Sequence, residues 1–379
     1  MDFELSEEQR MFKEAAAQFA QEKLFPKAAE FEEKEELPGE LLAELANLGY
    51  FGMLLPEEYG GSGIDFMSYI CTLEEICKGC AGLGILLSVH NSLVCEAILR
   101  YGTDQQKKKY LPKLAKGEII GAYSLTEPQA GTDAGNLKTT AVLKDGQYIV
   151  NGTKSFVSNG KIAGLVILFC LTDPPSRSKG ISALIVETGT SGFSVGSKEK
   201  KMGMRCSDTV ELSFQDSRIP KENLLGKENE GFKIALSLLD NGRIGISAQA
   251  LGIAEAALDE ALKYSKERIQ FGQTISNFQA IQFKLADMAT QIESARLLTY
   301  RAAWMKNSGI KHSKEASMAK LVASETANFV VNEAVQIHGG YGYMREYAVE
   351  RYFRDARVTE IYEGTSEAQR MVISRHLLK

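Results

Sequence analysis

The stretch Phe278–Thr299 reads FQAIQFKLADMATQIESARLLT and repeats apolar or small side chains at steps of three and four residues. Such positions share one face of an α-helix, because a helix completes a turn in about 3.6 residues. Residues 251–262 show a second face of the same kind. Long helices with broad apolar faces are typical of bundles, so we predict a C-terminal four-helix bundle over residues 231–379. The repeating positions of the first stretch are Phe278, Ile281, Leu285, Met288, Ile292, Ala295 and Thr299.

Residues 121–230 show a period of two instead, which is typical of β-strands. The dipeptide Asp145-Gly146 precedes Tyr148-Ile149-Val150 and is a strong hairpin signal. Further strands are predicted over 165–171, 181–186 and 210–214. No helical spacing interrupts them, which excludes a Rossmann unit and predicts a small antiparallel, β-barrel-like domain.

Residues 1–120 are rich in Ala, Glu, Leu and Lys at helical spacing, and we predict a helical domain there. The acidic run Glu30–Glu36 is predicted to be a solvated helix face. The predicted fold class is therefore α+β, with an N-terminal helical domain (1–120), a middle β domain (121–230) and a C-terminal four-helix bundle (231–379).

The composition excludes several classes of protein. With 379 residues and a net charge of -5, the chain has no general attraction for nucleic acid or anionic membranes. Apolar runs such as 165–171 are strand-sized, so no membrane insertion is expected. The acidic amphipathic start, MDFELSEE, lacks the features of a secretory signal, and we expect a cytoplasmic or mitochondrial-matrix-like compartment. Cys77-Lys78-Gly79-Cys80 has no second pair or nearby histidine, and we predict a structural role and no metal site.

Near the C-terminus the chain reads Ile361-Tyr362-Glu363-Gly364-Thr365-Ser366-Glu367. A glutamate between an aromatic ring and a glycine suits a general base, because burial raises the pKa of a carboxyl group. The same residues also suit a helix start, capped by Thr365 or Ser366 with an acidic first turn. These seven residues leave both interpretations open.

Three glycine-containing stretches are candidate ligand loops: Tyr123–Gly135, Asn151–Gly160 and Gln336–Tyr343. Small residues and hydroxyls allow backbone N–H groups to approach a phosphate or a heterocycle. Arg243 and Arg268 each suit either a phosphate clamp or a solvated surface charge. The sequence has no G-x-G-x-x-G after a strand, no Walker motif and no H-E-x-x-H, which argues against nucleotide binding through those folds.

Taken in order, these segments resemble the acyl-CoA dehydrogenases, FAD enzymes that desaturate acyl-CoA thioesters between Cα and Cβ. The resemblance covers the chain essentially from Met1 to Lys379. It is carried by Leu54–Gly61, Thr126-Glu127-Pro128, Arg268–Gly272, Arg354-Asp355-Ala356 and the Glu363 motif.

The resemblance implies a set of FAD-binding residues. Phe156 and Ser158 depart from many relatives, which carry Trp and Thr there. Some of the implied residues hold the FAD of a neighbouring subunit, so a homo-oligomer is implied, usually a tetramer built as a dimer of dimers. The FAD set comprises Tyr123, Leu125, Thr126, Gly131, Thr132, Phe156, Val157, Ser158, Thr365 and Glu367, and, toward the neighbour's FAD, Arg268, Phe271, Phe278, Gln279, Gln336, Ile337, Gly339 and Gly340.

The resemblance also implies the chemistry. Glu363 matches the base that removes the α-proton while a β-hydride moves to flavin N5, as in fatty-acid β-oxidation. Some branches place this base at the position of Gly242, which cannot act as one. Electron-transferring flavoprotein is the implied acceptor. Residues implied to contact acyl-CoA are Thr132, Asp240, Arg243, Tyr362 and Gly364.

The implied substrate is a short, unbranched acyl-CoA such as butyryl-CoA, because residues 81–90 and 242–250 resemble the pocket of the short-chain branch. Glutaryl-specific relatives carry an arginine near Gly84 that binds the distal carboxylate, and a glycine at this position cannot do so. The alternatives are a branched, medium-chain or other specialised acyl-CoA and, more remotely, a non-catalytic or DNA-associated flavoprotein of the same fold.

Overall fold

The computed structural model describes residues 4–378; the predicted domain ends at residues 1–3 and 379 lie outside the described residues. Side chains start several of the N-terminal helices: Ser6 and Gln9 form a capping box on the first, and Asp65 and Thr103 cap the fourth and seventh. These helices are α1 (Glu7–Phe19), α2 (Ala28–Lys34), α3 (Gly39–Asn47), α4 (Phe66–Gly79), α5 (Ala81–Ser88), α6 (Glu96–Tyr101) and α7 (Asp104–Ala115).

A π-helical segment, Val89–Cys95, joins α5 to α6 into one helical stretch, Ala81–Tyr101. By length and composition this stretch could cross a membrane, with a mean hydropathy of 1.6, whereas the prediction from the sequence rested on strand-sized apolar runs such as 165–171. However, 94% of its most apolar window is buried inside the protein, and a core helix has the same composition. The sequence shows the apolarity, whereas tertiary packing determines what covers it.

The middle region forms one sheet with the strand order β6-β7-β3-β2-β4-β5-β8, and β1 pairs with β4. The Asp145-Gly146 hairpin is confirmed between β2 and β3, and both residues have positive φ. The strands are β1 (Ile120–Ser124), β2 (Thr140–Lys144), β3 (Gln147–Ser158), β4 (Ala163–Leu171), β5 (Ile181–Glu187), β6 (Phe193–Lys198), β7 (Thr209–Pro220) and β8 (Leu224–Leu225).

Two features of this sheet correct the prediction. The pairs β1–β4 and β2–β4 are parallel, although the remaining pairs are antiparallel. Within residues 4–378 the sheet does not close into a barrel, because its path ends at β6 and at β8. Alternating side chains show which face of a strand is buried, but they do not show the direction of its neighbour.

The C-terminal region consists of three long helices and two shorter ones, together with a small hairpin, in the described part of the chain. Helices α8 and α4 pack closely, since a Cβ on Gly252 would lie 2.4 Å from the Glu74 carbonyl oxygen. One apolar core joins residues of all three regions, among them Leu93, Phe169 and Ala250. The elements are α8 (Gly231–Glu267), β9 (Ile269–Gln270), β10 (Gln273–Thr274), α9 (Gln279–Asn307), α10 (Ser313–His338), α11 (Ala348–Arg357) and α12 (Ser366–Leu377).

Candidate functional site

The Glu363 motif lies in the turn between α11 and α12, and the structure separates the two interpretations of it. Thr365 caps α12, because its side chain accepts a hydrogen bond from the Ala368 N–H at 3.2 Å. Glu367 lies in the first turn of that helix. Glu363 stands outside the helix with φ of 50°, a left-handed conformation uncommon for a non-glycine residue. The cap and the candidate base are therefore different residues of one motif.

The Glu363 carboxylate is enclosed and has no hydrogen-bond partner among residues 4–378. Both of its oxygens are buried, although the residue as a whole is partly exposed. Burial raises the pKa of Glu363 from 4.5 to about 7, against the opposing effects of Lys320 and Arg243. A buried carboxyl group whose pKa lies near neutrality is suited to take up and release a proton.

Gly242 on α8 provides the space for this carboxylate. A Cβ built on Gly242 would lie 2.0 Å from Glu363 Oε2 and 3.1 Å from a methyl carbon of Leu93. Any larger residue at 242 would therefore collide with the base. The glycine that cannot itself be a base is the residue that allows Glu363 to occupy the site.

Arg243, next to Gly242, is buried and paired with an acidic neighbour. Its guanidinium donates to Asp240 Oδ1 at 2.7 Å and to Ser317 Oγ at 3.4 Å. Its Nε is buried and has no hydrogen-bond partner in the part of the chain that the structure describes. Asp240 also accepts a hydrogen bond from Ser313 at 2.9 Å. Of the predicted pair, Arg243 interacts with the charge of Glu363, and Asp240 pairs with Arg243.

Lys320, on α10, was not predicted as a site residue. Its side chain is fully buried, and its Nζ donates to the Gly364 carbonyl oxygen at 2.8 Å. The Gln369 side-chain amide donates to the same oxygen at 2.8 Å. A signal was present in the sequence, because Lys320 follows Ala316 by four residues and precedes Ala323 by three, on the buried face of α10.

Two tyrosines form walls near the base. The Tyr362 hydroxyl donates to the Gln249 side-chain carbonyl on α8. The Tyr123 hydroxyl donates to the Ala235 carbonyl at 3.3 Å, and its ring lies 5.0 Å from that of Phe169. Burial, followed by the charge of Glu363, raises the pKa of both tyrosines, so both are neutral near neutral pH.

The loops at 123–132 and 156–158 are held together by a buried ion pair. Lys154 Nζ lies 2.7 Å from Glu127 Oε1 and donates to the Leu125 carbonyl at 3.0 Å. Glu127 also accepts the N–H groups of the chain at 138 and 139. The Thr126 carbonyl accepts from the Ser155 N–H at 2.9 Å, which links the two loops directly.

The outer residues of these loops are open to a ligand. Phe156 lies in a bulge of the β3–β7 ladder, with φ of 56° and 67% exposure. Thr132 is exposed, and a Cβ on Gly131 would contact nothing within 4 Å. Val157 is buried and Ser158 half-buried.

The residues predicted to reach a neighbouring FAD form a second cluster around the β9–β10 hairpin. The Arg268 guanidinium lies 5.4 Å from the centre of the Tyr341 ring, and Phe271 packs edge-on against Phe278 at 6.1 Å. Phe271 is 94% exposed. In the same cluster Gln279, Gln336, Gly339 and Gly340 are exposed, whereas Ile337 is buried.

A cleft of about 770 Å³ opens beside Asp240. Its charged lining is mainly basic, with Arg100, Lys306, Lys311 and Lys314 against Asp240 and Glu315. An anionic group is therefore favoured there. Among residues 4–378, no group of three or more His, Cys, Asp or Glu side chains is arranged to hold a metal ion, and Cys77 and Cys80 are free and buried.

Comparison with known proteins gives a consistent result along the chain. Family models match in three segments: "Acyl-CoA dehydrogenase, N-terminal domain" over residues 6–118, "middle domain" over 122–217 and "C-terminal domain" over 229–378. The acryloyl-CoA reductase (NADH) of Anaerotignum propionicum is 50% identical, covering 100% of this chain and 96% of the relative.

Two solved structures superpose on the full chain with a TM-score of 0.98, and each match covers 100% of both chains. One is the butyryl-CoA dehydrogenase of Megasphaera elsdenii, at 50% identity. The other, at 52% identity, is a chain of the structure described as "Electron transferring flavoprotein of Acidaminococcus fermentans: Towards a mechanism of flavin-based electron bifurcation". The chain belongs to the acyl-CoA dehydrogenase family.

Proposed function

We propose that this protein desaturates a short-chain acyl-CoA thioester to the trans-2-enoyl-CoA, using FAD. The observation that carries the proposal is the Glu363 carboxylate, buried and unpaired in the space that Gly242 leaves open. Its pKa of about 7 allows it to hold the proton removed from Cα. A carboxylate kept for structure alone would be hydrogen-bonded, because leaving it unpaired is costly.

The open loops suit FAD. We assign Tyr123, Leu125, Thr126, Gly131 and Thr132, with the segment Phe156–Ser158, to one FAD, and Thr365 and Glu367 to its binding beside α12. Bound FAD supplies the acceptor for the β-hydride at its N5 atom. The chain's own task is to place Cα of the substrate against Glu363, and Tyr123 and Tyr362 exclude water from that contact. Thr132, Asp240, Arg243, Tyr362 and Gly364 are assigned to the acyl-CoA.

The cluster around Phe271 supports a homo-oligomer. Ile269 and Phe271 at the hairpin are 60% and 94% exposed, and several exposed apolar side chains in one place are typical of an interface. We assign Arg268, Phe271, Phe278, Gln279 and the segment Gln336–Gly340 to the FAD of a neighbouring subunit in a tetramer. The proposed electron acceptor is electron-transferring flavoprotein, supported by the 52% identical chain from work on such a flavoprotein.

The structure favours a short, uncharged acyl chain. A Cβ on Gly84 would lie 2.0 Å from Cys77 Sγ, which leaves no room for an arginine that binds a distal carboxylate. The 50% identical butyryl-CoA dehydrogenase supports a four-carbon substrate. The basic cleft beside Asp240 suits the phosphates of CoA. Branched and medium-chain acyl-CoAs are the alternatives within the same chemistry.

A second candidate is the reverse reaction, reduction of a 2-enoyl-CoA, because the acryloyl-CoA reductase (NADH) is equally similar at 50% identity. Glu363 would then donate the α-proton, since a group with a pKa near neutrality serves as acid or base.

The domain division 1–120, 121–230 and 231–379 and the compartment belong to the same proposal. The change from helix to strand at Ile120 and back to helix at Gly231 supports the division. Six free, buried cysteines support a reducing compartment such as the cytoplasm or the mitochondrial matrix.

The test is a panel of acyl-CoAs mixed anaerobically with the FAD-loaded protein, followed at the flavin absorbance at about 450 nm. We expect butyryl-CoA to bleach the flavin fastest, with longer, branched and glutaryl thioesters slower. A parallel series with acryloyl-CoA and NADH tests the reductive direction. Failure of every saturated acyl-CoA to bleach the flavin would refute the dehydrogenase proposal.

A further inference from the structure

Lys320 is a buried cation held against the loop that carries the base. Its side chain has 0% exposure, and its hydrogen bond goes to a neutral group, the Gly364 carbonyl, at 2.8 Å. Burying a lysine costs several kcal/mol unless an opposite charge compensates for the lost hydration. The largest opposing charge that acts on Lys320 is the Glu363 carboxylate, on the residue before Gly364.

The Glu363 carboxylate faces two cations, but they are not equivalent. Arg243 is already paired with Asp240 at 2.7 Å, so much of its charge is neutralised locally. Lys320 donates its hydrogen bond to a neutral carbonyl group, which does not neutralise its positive charge. Of the two cations, Lys320 has the larger effect in lowering the pKa of Glu363.

Lys320 is charged in the range where the base works. Burial lowers the pKa of Lys320 to about 8, and the charge of Glu363 opposes that decrease. Burial raises the pKa of Glu363 to about 7. At a pH between these values both groups are mostly charged, and the ionised carboxylate is the form that removes a proton. The titratable and charged groups facing this pair are Tyr69 on α4, Tyr123 on β1, Asp240 and Arg243 on α8, and Glu360, Tyr362 and Glu367 on the flanking turn and α12.

We propose that Lys320 is a positioning residue for the base: its charge keeps Glu363 ionised at neutral pH, and its hydrogen bond to Gly364 holds the loop. The proposal rests on the proposed function, in which Glu363 removes the α-proton. It adds a residue on α10 that acts through Glu363 and its loop.

The chain offers a matched control for the charge. Gln369 on α12 donates to the same Gly364 oxygen at 2.8 Å and to the Glu363 carbonyl at 3.3 Å. It is buried like Lys320 but neutral. Replacing Gln369 with Met therefore removes two hydrogen bonds to the loop without removing a charge, whereas Lys320→Met removes one hydrogen bond and a charge.

The experiment measures the rate of flavin reduction by butyryl-CoA against pH in the holoenzyme. In Lys320→Met, which lacks the cation, we expect the acid limb of the pH profile to move up by about one to three pH units. The rate near pH 7 should therefore fall by about tenfold or more and recover at higher pH. Lys320→Gln, which keeps a neutral donor, should show the same shift, and Lys320→Arg should restore the wild-type limb. Gln369→Met should change the amplitude but leave the limb in place.

A second readout needs no turnover. Infrared difference spectra between wild type and Glu363→Gln report the carboxyl band of residue 363 as it titrates, and the same difference on the Lys320→Gln background should titrate at higher pH. If acyl-CoA fails to reduce the wild-type flavin, the proposed function fails while this titration still tests the lysine. An unchanged titration, or limbs that coincide in the Lys320 and Gln369 variants, would overturn the inference; should Lys320→Met not fold, Lys320→Gln and Lys320→Arg decide it.

Discussion

Glu363→Gln should stabilise the protein in a pH-dependent manner, because the wild-type carboxylate is held where its charge is unfavourable. The pKa of Glu363 is raised from 4.5 to about 7 by burial. A carboxyl group with a raised pKa favours the folded state while it is protonated. That stability is fully present below about pH 4.5 and is lost as the pH rises through about 7. Glutamine has nearly the same shape and never ionises, so the variant avoids this loss.

The size of the effect follows from the two pKa values. The gap between 4.5 and about 7 is about 2.5, and each unit corresponds to about 1.4 kcal/mol. The free energy of unfolding of the variant should therefore exceed that of wild type by about 3 kcal/mol above pH 7, and by almost nothing near pH 4.5. Both carboxylate oxygens are buried, so solvent screening reduces this value little.

The assay is denaturant unfolding of the FAD-loaded proteins at matched concentration, from about pH 5 to about pH 8. Glu33→Gln, which alters an exposed carboxylate on α2, controls for the loss of one charge. The expected result is a difference between Glu363→Gln and wild type that widens with pH. A constant difference, or a variant less stable than wild type at pH 8, would refute the claim that Glu363 is buried at an energetic cost.

Gly242→Ala should lower the rate of flavin reduction by acyl-CoA by about 100-fold, because the new Cβ would lie 2.0 Å from Glu363 Oε2 and displace the base. Stopped-flow mixing measures this rate, and a near-wild-type rate would contradict the close contact between residues 242 and 363. Lys154→Met should lower the free energy of unfolding by about 3–5 kcal/mol, because it leaves Glu127 buried without its cation; an unchanged denaturant midpoint would argue against this ion pair. Phe271→Ala should leave the helical circular dichroism unchanged but weaken the oligomer and lower its FAD content, because the ring is 94% exposed in the single chain. Sedimentation measures the oligomer, and the flavin-to-protein absorbance ratio measures the FAD content. An intact, fully loaded oligomer would show that Phe271 is not part of the interface.

Local periodicity was sufficient to predict much of the fold. The repeat through Met288 and Ile292 forms α9, and Asp145-Gly146 forms the predicted hairpin. Strand direction was not predictable, because β1 enters the sheet from α7 and not from a hairpin, and side-chain alternation carries no information on direction.

Burial of charge was the other limit of the sequence. The run Glu30–Glu36 was predicted to be solvated, yet Glu32 is buried, accepting the Arg205 N–H at 2.8 Å and pairing with Arg354 at 3.0 Å. Lys320 is a second example, on α10. Partners far away in sequence stabilise both side chains, and a local pattern contains no information about such partners.

In the candidate site, too, the local sequence indicated a functional residue, but only the fold showed its distant contacts. The motif around Glu363 indicated a base, and the family resemblance implied its role. The contact between Glu363 and Gly242 joins segments far apart in the chain and became visible only in the fold. It gives the Gly242 position a physical meaning that the sequence alone did not provide.

Anaerobic mixing of butyryl-CoA with FAD-loaded wild type and Glu363→Gln tests the role of this carboxylate. We predict that wild type loses its flavin absorbance at about 450 nm, while Glu363→Gln binds FAD normally and keeps that absorbance. Bleaching of the variant at the wild-type rate would show that another group removes the α-proton.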